Sequence, residues 1–539
     1  MQIGDEVPDF TTPSDLSVGA FSDDGPWVVV PGEMAWRRGI DELRERAAAQ
    51  VPEMIRPRRL PPLRGAAVAL KLSAAMGPWL VRNRRRKDDP AAQAELAAKL
   101  RPAFESLGTT FIKLGQLIAS AEGMLPAALV TEFKLCRDRV PAESIAHVRT
   151  VIEEDLGRTL AELFAEFDPV PIAAASVAQV HVARLHSGEE VVVKVQRPGI
   201  DRIVPRDIAT LAWLAPIIEK RSPQAAMANL PAYIELFAET IVEELDFRLE
   251  AQNMLDIAAV LAATDQHAVI VPRPHPQLVS RRVLVMERMH GYGVDDEAAM
   301  SAAGVDPSPV YRALMVSFLE GAMIHGAFHG DLHGGNMMVT EGGRPAILDF
   351  GITGRFAPGK RQALLGLMMT AASQDARAML GYFRDLGGFP PDADMERLAD
   401  ELGIEELMAQ NPNDVSPEVM AVQMRETTKR LVAHGAKLPK EMFLFMKGLV
   451  YLGGALTSIA PDVDMFGEMA QIYSLFTTGH VGHLEAAGLD VDAMPDGGQV
   501  AELMRQQVGT DAGSMTYLQM QQLQSERAAE LRAAMKRMG

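Results

Sequence analysis

Phe328 to Gly351 reads FHGDLHGGNMMVTEGGRPAILDFG, and this stretch decides how the remainder is read. Asp331 and Asn336 stand in the order D-x-x-x-x-N, and Asp349, Phe350 and Gly351 follow after two short runs with strand character. Phosphoryl transfer needs one carboxylate to orient or deprotonate the attacking hydroxyl. It also needs a second carboxylate and an amide oxygen to hold Mg²⁺ against the phosphates. Asp331 suits the first role, and Asp349 with Asn336 suits the second. Gly-Asp and Gly-Gly-Asn are also ordinary turn chemistry, so the constellation gains its weight from its surroundings.

The chain has 539 residues, enough for roughly three to four domains or for two lobes with extensions. Hydrophobic content of 48% and charged content of 23% are globular values. A net charge of −18 argues against nucleic acid as the main partner. Cys136 is the only cysteine, which excludes an intrachain disulfide and a Cys-based zinc site and points to a reducing, cytoplasmic setting. Asp5, Glu6 and Asp9 stand where a targeting peptide is basic and apolar, so no targeting signal is expected. Gly65 to Val81 is Ala/Leu-rich but interrupted by Lys71, Ser73 and Pro78, and is too short to span a bilayer. Arg58, Arg59 and Arg64 precede it, and Arg82, Arg84, Arg85, Arg86 and Lys87 follow. Two readings stand for this segment: a helix lying on an anionic membrane surface, at the inner face of the membrane, or a helix packed on the domain.

Residues 91–165 read as a helical region, in which Leu107 to Ser120 carries Lys113, Gln116 and Ser120 on one helical face. A solvated face is the simpler reading of that pattern alone. Val177 to Leu185 and Val191 to Val195 read as a hairpin turning at Ser187 and Gly188. Ala173, Ala174, Ala175 and Ser176 precede it, small residues at the place of a kinase's phosphate loop, where backbone amides must approach phosphates closely. Lys194 ends the second run, at the place of the strand lysine that holds the α- and β-phosphates. Tyr233 to Met254 reads as one helix with an acidic stripe of Glu239, Glu243, Asp246, Glu250 and Asn253, the first helix able to give that lysine a glutamate. Val283 to Met289 reads as a buried strand whose Met286 and Met289 stand where a hinge would meet adenine. Pro307 to Ala327 reads as a long helix leading into the catalytic loop. After Gly351 the chain goes almost directly into another helical pattern, with no A-P-E segment.

Several stretches now coincide: K-L-G-Q at Lys113 to Gln116, A-A-A-S-V-A-Q-V-H at Ala173 to His181, V-V-V-K-V-Q-R-P-G at Val191 to Gly199, and E-L-D-F-R-L-E-A-Q-N at Glu244 to Asn253. With H-G-D-L-H-G-G-N and L-D-F-G, they make residues 91–464 resemble the UbiB/AarF/ADCK family of atypical kinases. The resemblance implies an α+β, bilobal kinase-like fold with a helical K-x-G-Q extension over the site where a protein substrate would bind. The expected division is residues 1–90, a helical extension at 91–165, lobes at 166–290 and 291–480, and a helical tail at 481–539. By resemblance Lys113 and Gln116 reach the active site and face Glu244 and Asp246, while Lys194 pairs with Glu250. Glu244 and Asp246 lie about 200° apart on a straight helix, so both point inward only if that helix bends. The chain departs from the family at Ala121 and Gly123, where an arginine and an aspartate are usual, and at Leu332 and Gly334, where prolines are common.

The function implied is an ATP- and Mg²⁺-binding kinase or ATPase acting for isoprenoid quinone biosynthesis or membrane lipid homeostasis. A nucleotide, a lipid or quinone-precursor-like molecule and a membrane surface are the expected partners, with a homodimer or a biosynthetic complex as a further expectation. Two alternatives stand beside it. One is a small-molecule phosphotransferase of the aminoglycoside or choline kinase type, suggested by H-G-D-L-H. The other is a non-catalytic, ATP-switched scaffold.

Overall fold

The computed structural model describes residues 20–23, 25–56, 62–83, 86, 89–120, 125–136, 140–220, 229–264, 267–373, 375–404, 417–486, 491–508 and 514–538. Arg58, Arg59, Arg84, Arg85, Lys87, Ala121 and Gly123 lie outside them. The chain forms two compact units. The first comprises Gly25–Asn253 and Arg273–Arg288, and the second Met254–Pro272 and Met289–Met538 with residues 20–23.

The first unit is built on an antiparallel sheet of six strands: β1 (Phe164–Phe167), β2 (Ala173–Ala174), β3 (Ala178–Leu185), β4 (Glu190–Gln196), β5 (Pro274–Val279) and β6 (Val283–Glu287). Its order is β1-β3-β4-β6-β5, with β2 added beside β3. The period of two along β4 sorts its side chains. Val191, Val193 and Val195 enter a core with Val283 and Val285 of β6, while Lys194 goes to the other face. Helix Ile145–Leu156 closes that core with Val148, Val151 and Ile152, and Ser144 caps its start by accepting from the His147 N–H.

Four helices of this region matter for function: α1 (Pro62–Arg82), α2 (Thr109–Ala119), α3 (Leu230–Ile241) and α4 (Phe247–Ala263). The glycine of K-L-G-Q seats α2, because a Cβ on Gly115 would lie 2.9 Å from the Phe133 ring and 3.1 Å from the Cys136 sulfur. The single helix expected over Tyr233–Met254 is divided. A 3₁₀ turn at Glu243–Leu245 follows α3, and Asp246 is extended (φ −140°, ψ 107°) before α4 begins. Asp246 accepts from the backbone N–H of Arg248 at 3.1 Å, the local side-chain bond by which aspartate competes with helix.

In the second unit α5 (Pro307–Glu320) ends in a π-turn over Gly321–His325, and Gly326 at φ +76° turns the chain into a strand. A Cβ on Gly326 would meet the Phe356 carbonyl at 2.4 Å. The helix therefore stops short of Ala327, its expected end, because Ala327 already lies in a strand. A three-stranded sheet joins β7 (Gly291–Gly293), β9 (Met337–Thr340) and β10 (Pro345–Ile347) in the order β10-β9-β7, and a two-stranded one pairs β8 (Ala327–His329) with β11 (Thr353–Arg355). Helix α6 (Pro358–Ser373) follows β11 almost at once, as its sequence suggests, and α7 (Lys440–Ile459) lies further on.

Candidate functional site

Each unit carries one group of the expected site residues. In the first, the alternation of β4 presents Lys194 away from the valine core, and its Nζ meets Glu250 Oε1 of α4 at 2.6 Å. Lys194 also sits 5.5 Å from the centre of the Phe247 ring. Lys113 of α2 pairs with Glu244 Oε1 at 2.9 Å, and Gln116 follows it on the half-buried side of that helix. The break before α4 separates the two acids of E-L-D. Glu244 sits in the 3₁₀ turn against Lys113, while the Asp246 carboxylate takes two bonds from Arg248, Nε at 2.9 Å and Nη2 at 2.7 Å. That aspartate raises the Arg248 pKa above its ordinary value.

Ala173 and Ala174 form the short strand β2, and Ala175 and Ser176 make the turn into β3. Sequence reading overlooked Arg197, which organises this turn. Its Nε donates to the Ala175 carbonyl at 2.9 Å, its Nη2 to the Pro141 carbonyl at 3.0 Å, and its Nη1 meets Glu143 at 2.9 Å. The signal was present in V-V-V-K-V-Q-R-P-G, immediately after the strand. Within A-Q-V-H the polar residues are structural. His181 Nδ1 pairs with the Asp168 carbonyl at 2.8 Å and its Nε2 with Gln179 Nε2 at 2.8 Å, and burial lowers its pKa. Met286 is buried in β6 opposite Val192. Met289 lies beyond the end of that strand, in the second unit. Glu287, which ends β6, is held in a buried pair with Arg273 at 3.2 Å.

In the second unit, the β8–β11 pairing ties the loop after His329 to the D-F-G turn, with the Gly330 N–H donating to the Ile352 carbonyl at 2.9 Å. His329 completes the tie. Its Nδ1 accepts from the Asp331 N–H at 3.1 Å, so its Nε2 carries the proton donated to the Asp349 carbonyl. Burial lowers the pKa of this imidazole, consistent with a neutral ring in that tautomer. Asn336 Nδ2 donates to the Asp331 carbonyl at 2.9 Å, and Asp349 Oδ1 accepts from the Gly351 N–H at 3.0 Å. His333 Nδ1 accepts from the Gly335 N–H at 3.1 Å, capping the turn that delivers Asn336. Asp331, Asn336 and Asp349 are thus interlinked through backbone. A second residue missed by sequence reading is Lys447 of α7, whose Nζ lies 2.8 Å from Asp331 Oδ1.

Comparison with known proteins places the chain in a family. The model of the ABC1 atypical kinase-like domain matches residues 135–383. An uncharacterized protein of Mycobacterium tuberculosis is 38% identical over 391 residues, covering 70% of this chain and 77% of its own. An aarF domain-containing protein kinase of Arabidopsis thaliana, described as chloroplastic, is 32% identical over 397 residues, 68% of this chain and 72% of its own. A probable protein kinase UbiB of Azotobacter vinelandii is 30% identical over 395 residues, 72% of each chain. Among solved structures, the complex of Rv3197 with erythromycin from Mycobacterium tuberculosis has a TM-score of 0.39 at 22% identity, covering 64% of this chain and 87% of that one. With its motifs placed on a mixed helix and antiparallel-sheet fold, and with relatives of this identity over most of their length, the chain belongs to the ABC1 atypical kinase-like family that includes the UbiB and aarF-domain proteins.

Proposed function

We propose that the chain binds ATP with Mg²⁺ and passes the γ-phosphoryl group to water or to a hydroxyl of a lipid-soluble molecule. Isoprenoid quinone biosynthesis or membrane lipid homeostasis is the setting that the resemblance implies. The observation that carries this reading is the Lys194–Glu250 pair at 2.6 Å, because kinase chemistry requires that lysine and glutamate to be joined. The oxygen donors fit the metal. Asn336 uses its amide nitrogen on the Asp331 carbonyl, which leaves its oxygen as a hard donor, and Asp349 supplies a carboxylate as the second. Mg²⁺ held there would neutralise charge on the phosphate oxygens. Lys194 and the turn of Ala174 to Ser176 would hold phosphate. Asp331 would take the proton of the nucleophile as its oxygen bonds to phosphorus and the bond to ADP breaks.

Lys113, braced by Glu244, and Gln116 would keep a protein substrate away, which favours water or a small acceptor. Helix α1 supports a membrane setting. Leu63, Leu70 and Val81 are 88%, 72% and 82% exposed and fall along one line of the helix, with Lys71, Arg82 and Arg86 also exposed. Among the described residues no helix is long and apolar enough to cross a membrane, so this contact would lie on the surface. The H-G-D-L-H loop favours a second reading, transfer to a small soluble alcohol. The test is Mg²⁺-dependent ADP release with and without anionic vesicles and a phenol resembling a quinone precursor, beside Asp349→Asn. Turnover stimulated by vesicles or phenol and lost in Asp349→Asn is the expected result. Nucleotide binding without turnover under any condition would leave the switched scaffold, and stimulation only by soluble alcohols would favour the second reading.

A further inference from the structure

Helix α7 lies outside every motif that carries the resemblance, yet one of its faces follows the catalytic loop. Leu444, Lys447 and Tyr451 are spaced by three and four, the spacing of one helical side. Each meets a successive part of the loop. A Cβ on Gly330 would stand 3.2 Å from Leu444, Lys447 Nζ lies 2.8 Å from Asp331 Oδ1, and the Tyr451 ring lies 6.2 Å from that of His333. Close helix packing sets this placement. A Cβ on Gly448 would fall 2.5 Å from the Phe318 ring of α5, and Phe445 stacks on the same ring at 5.4 Å. The Lys447 side chain is only 6% exposed. A lysine buried to that degree is unfavourable without a partner, and its charge contacts are the Asp331 carboxylate and the Tyr451 ring, 5.5 Å away.

Resting on the phosphoryl-transfer reading above, we propose that Lys447 is a positioning residue for Asp331. Its ammonium engages Oδ1 and fixes the rotation of the carboxylate that meets the nucleophile. In the step itself the nucleophile's O–H bond breaks and its proton goes to Asp331. The O–P bond forms, and the electron pair of the broken P–O bond leaves with ADP. Lys447 neither gains nor loses a proton. Its contribution is orientation, and a carboxylate free to rotate or shift by about 1 Å loses on the order of 10²-fold in rate.

The test uses the full chain with MgATP and compares wild type, Lys447→Ala, Lys447→Arg, Asp331→Asn and the double variant. Lys447→Ala should lower kcat roughly 10²-fold with KM for ATP nearly unchanged. Lys447→Arg should recover part of the loss, as should ethylammonium added to Lys447→Ala. The double variant should be no slower than Asp331→Asn alone, because the lysine acts through the aspartate. A loss that multiplies with that of Asp331→Asn would overturn the inference. So would an unchanged kcat, or a raised KM and lowered melting temperature with no rescue by ethylammonium. A wild-type chain that binds but never turns over ATP would overturn the proposed reaction itself, an outcome the wild-type arm separates from the others.

Discussion

Lys194 and Glu250 show how a single charge becomes informative through its neighbours. A lysine at a strand end is ordinary, but the period of two along Val191–Val195 requires that it leave the valine core, and Glu250 meets it there at 2.6 Å. Both side chains are largely buried, so removing one strips the other of a close opposite charge. Glu250→Leu is expected to cost about 3–5 kcal/mol in urea unfolding, and Lys194→Met with Glu250→Leu should recover most of it, since an apolar pair leaves no charge behind. A cost below about 1 kcal/mol for the single variant would show that the pair is not formed in solution. Spacing alone does not select Glu250, because Glu239, Glu243, Asp246 and Glu250 recur at similar steps; the family resemblance supplied that pairing. Asp246 illustrates the difficulty: its carboxylate joins Arg248, two residues away, and helps to end the preceding turn.

At the scale of elements, that break between α3 and α4 separates the surroundings of Glu244 and Asp246, which a continuous helix would have spread around its axis. The break was legible only as a geometric demand, since hydrophobic spacing runs through it. Helix α1 shows the opposite case. Its apolar content was plain in the sequence, but which side faced solvent depended on packing: Trp79 is buried and donates from Nε1 to the Ala92 carbonyl at 2.7 Å, while Leu63, Leu70 and Val81 remain outside. Leu70→Glu and Val81→Glu remove no buried contact and should leave unfolding free energy within about 0.5 kcal/mol of wild type. The same variants should weaken co-sedimentation with anionic vesicles several-fold. Unchanged vesicle binding would remove the membrane role of α1.

In both units burial lowers the pKa of particular histidines. His275 in the first unit and His325 in the second are each pushed down to about 4, and His181 is lowered as well. A native pKa below the unfolded value means that the unfolded chain binds protons first. The stabilisation is full above the ordinary imidazole value of about 6.5 and is lost as pH falls toward about 4. The denaturant midpoint should therefore drop steadily between pH 7 and pH 5, above the range where carboxylates titrate. A flat midpoint over that interval would mean that these rings are already charged in the folded chain.

The sequence by itself determined the family, the α+β kinase-like class, the β3–β4 hairpin and the short passage from D-F-G into a helix. These depend on periodicity, turn chemistry and residues adjacent in the chain, which are local quantities. Tertiary structure decided that Glu244 and Asp246 take different partners, where the E-L-D segment bends, and that Arg197 and Lys447 touch the site residues. Arg197 binds carbonyls brought to it by folding, and Lys447 reaches Asp331 only because Gly448 lets α7 pack closely on Phe318. Contacts between distant residues depend on helix approach and side-chain volume, and no spacing along the chain encodes them.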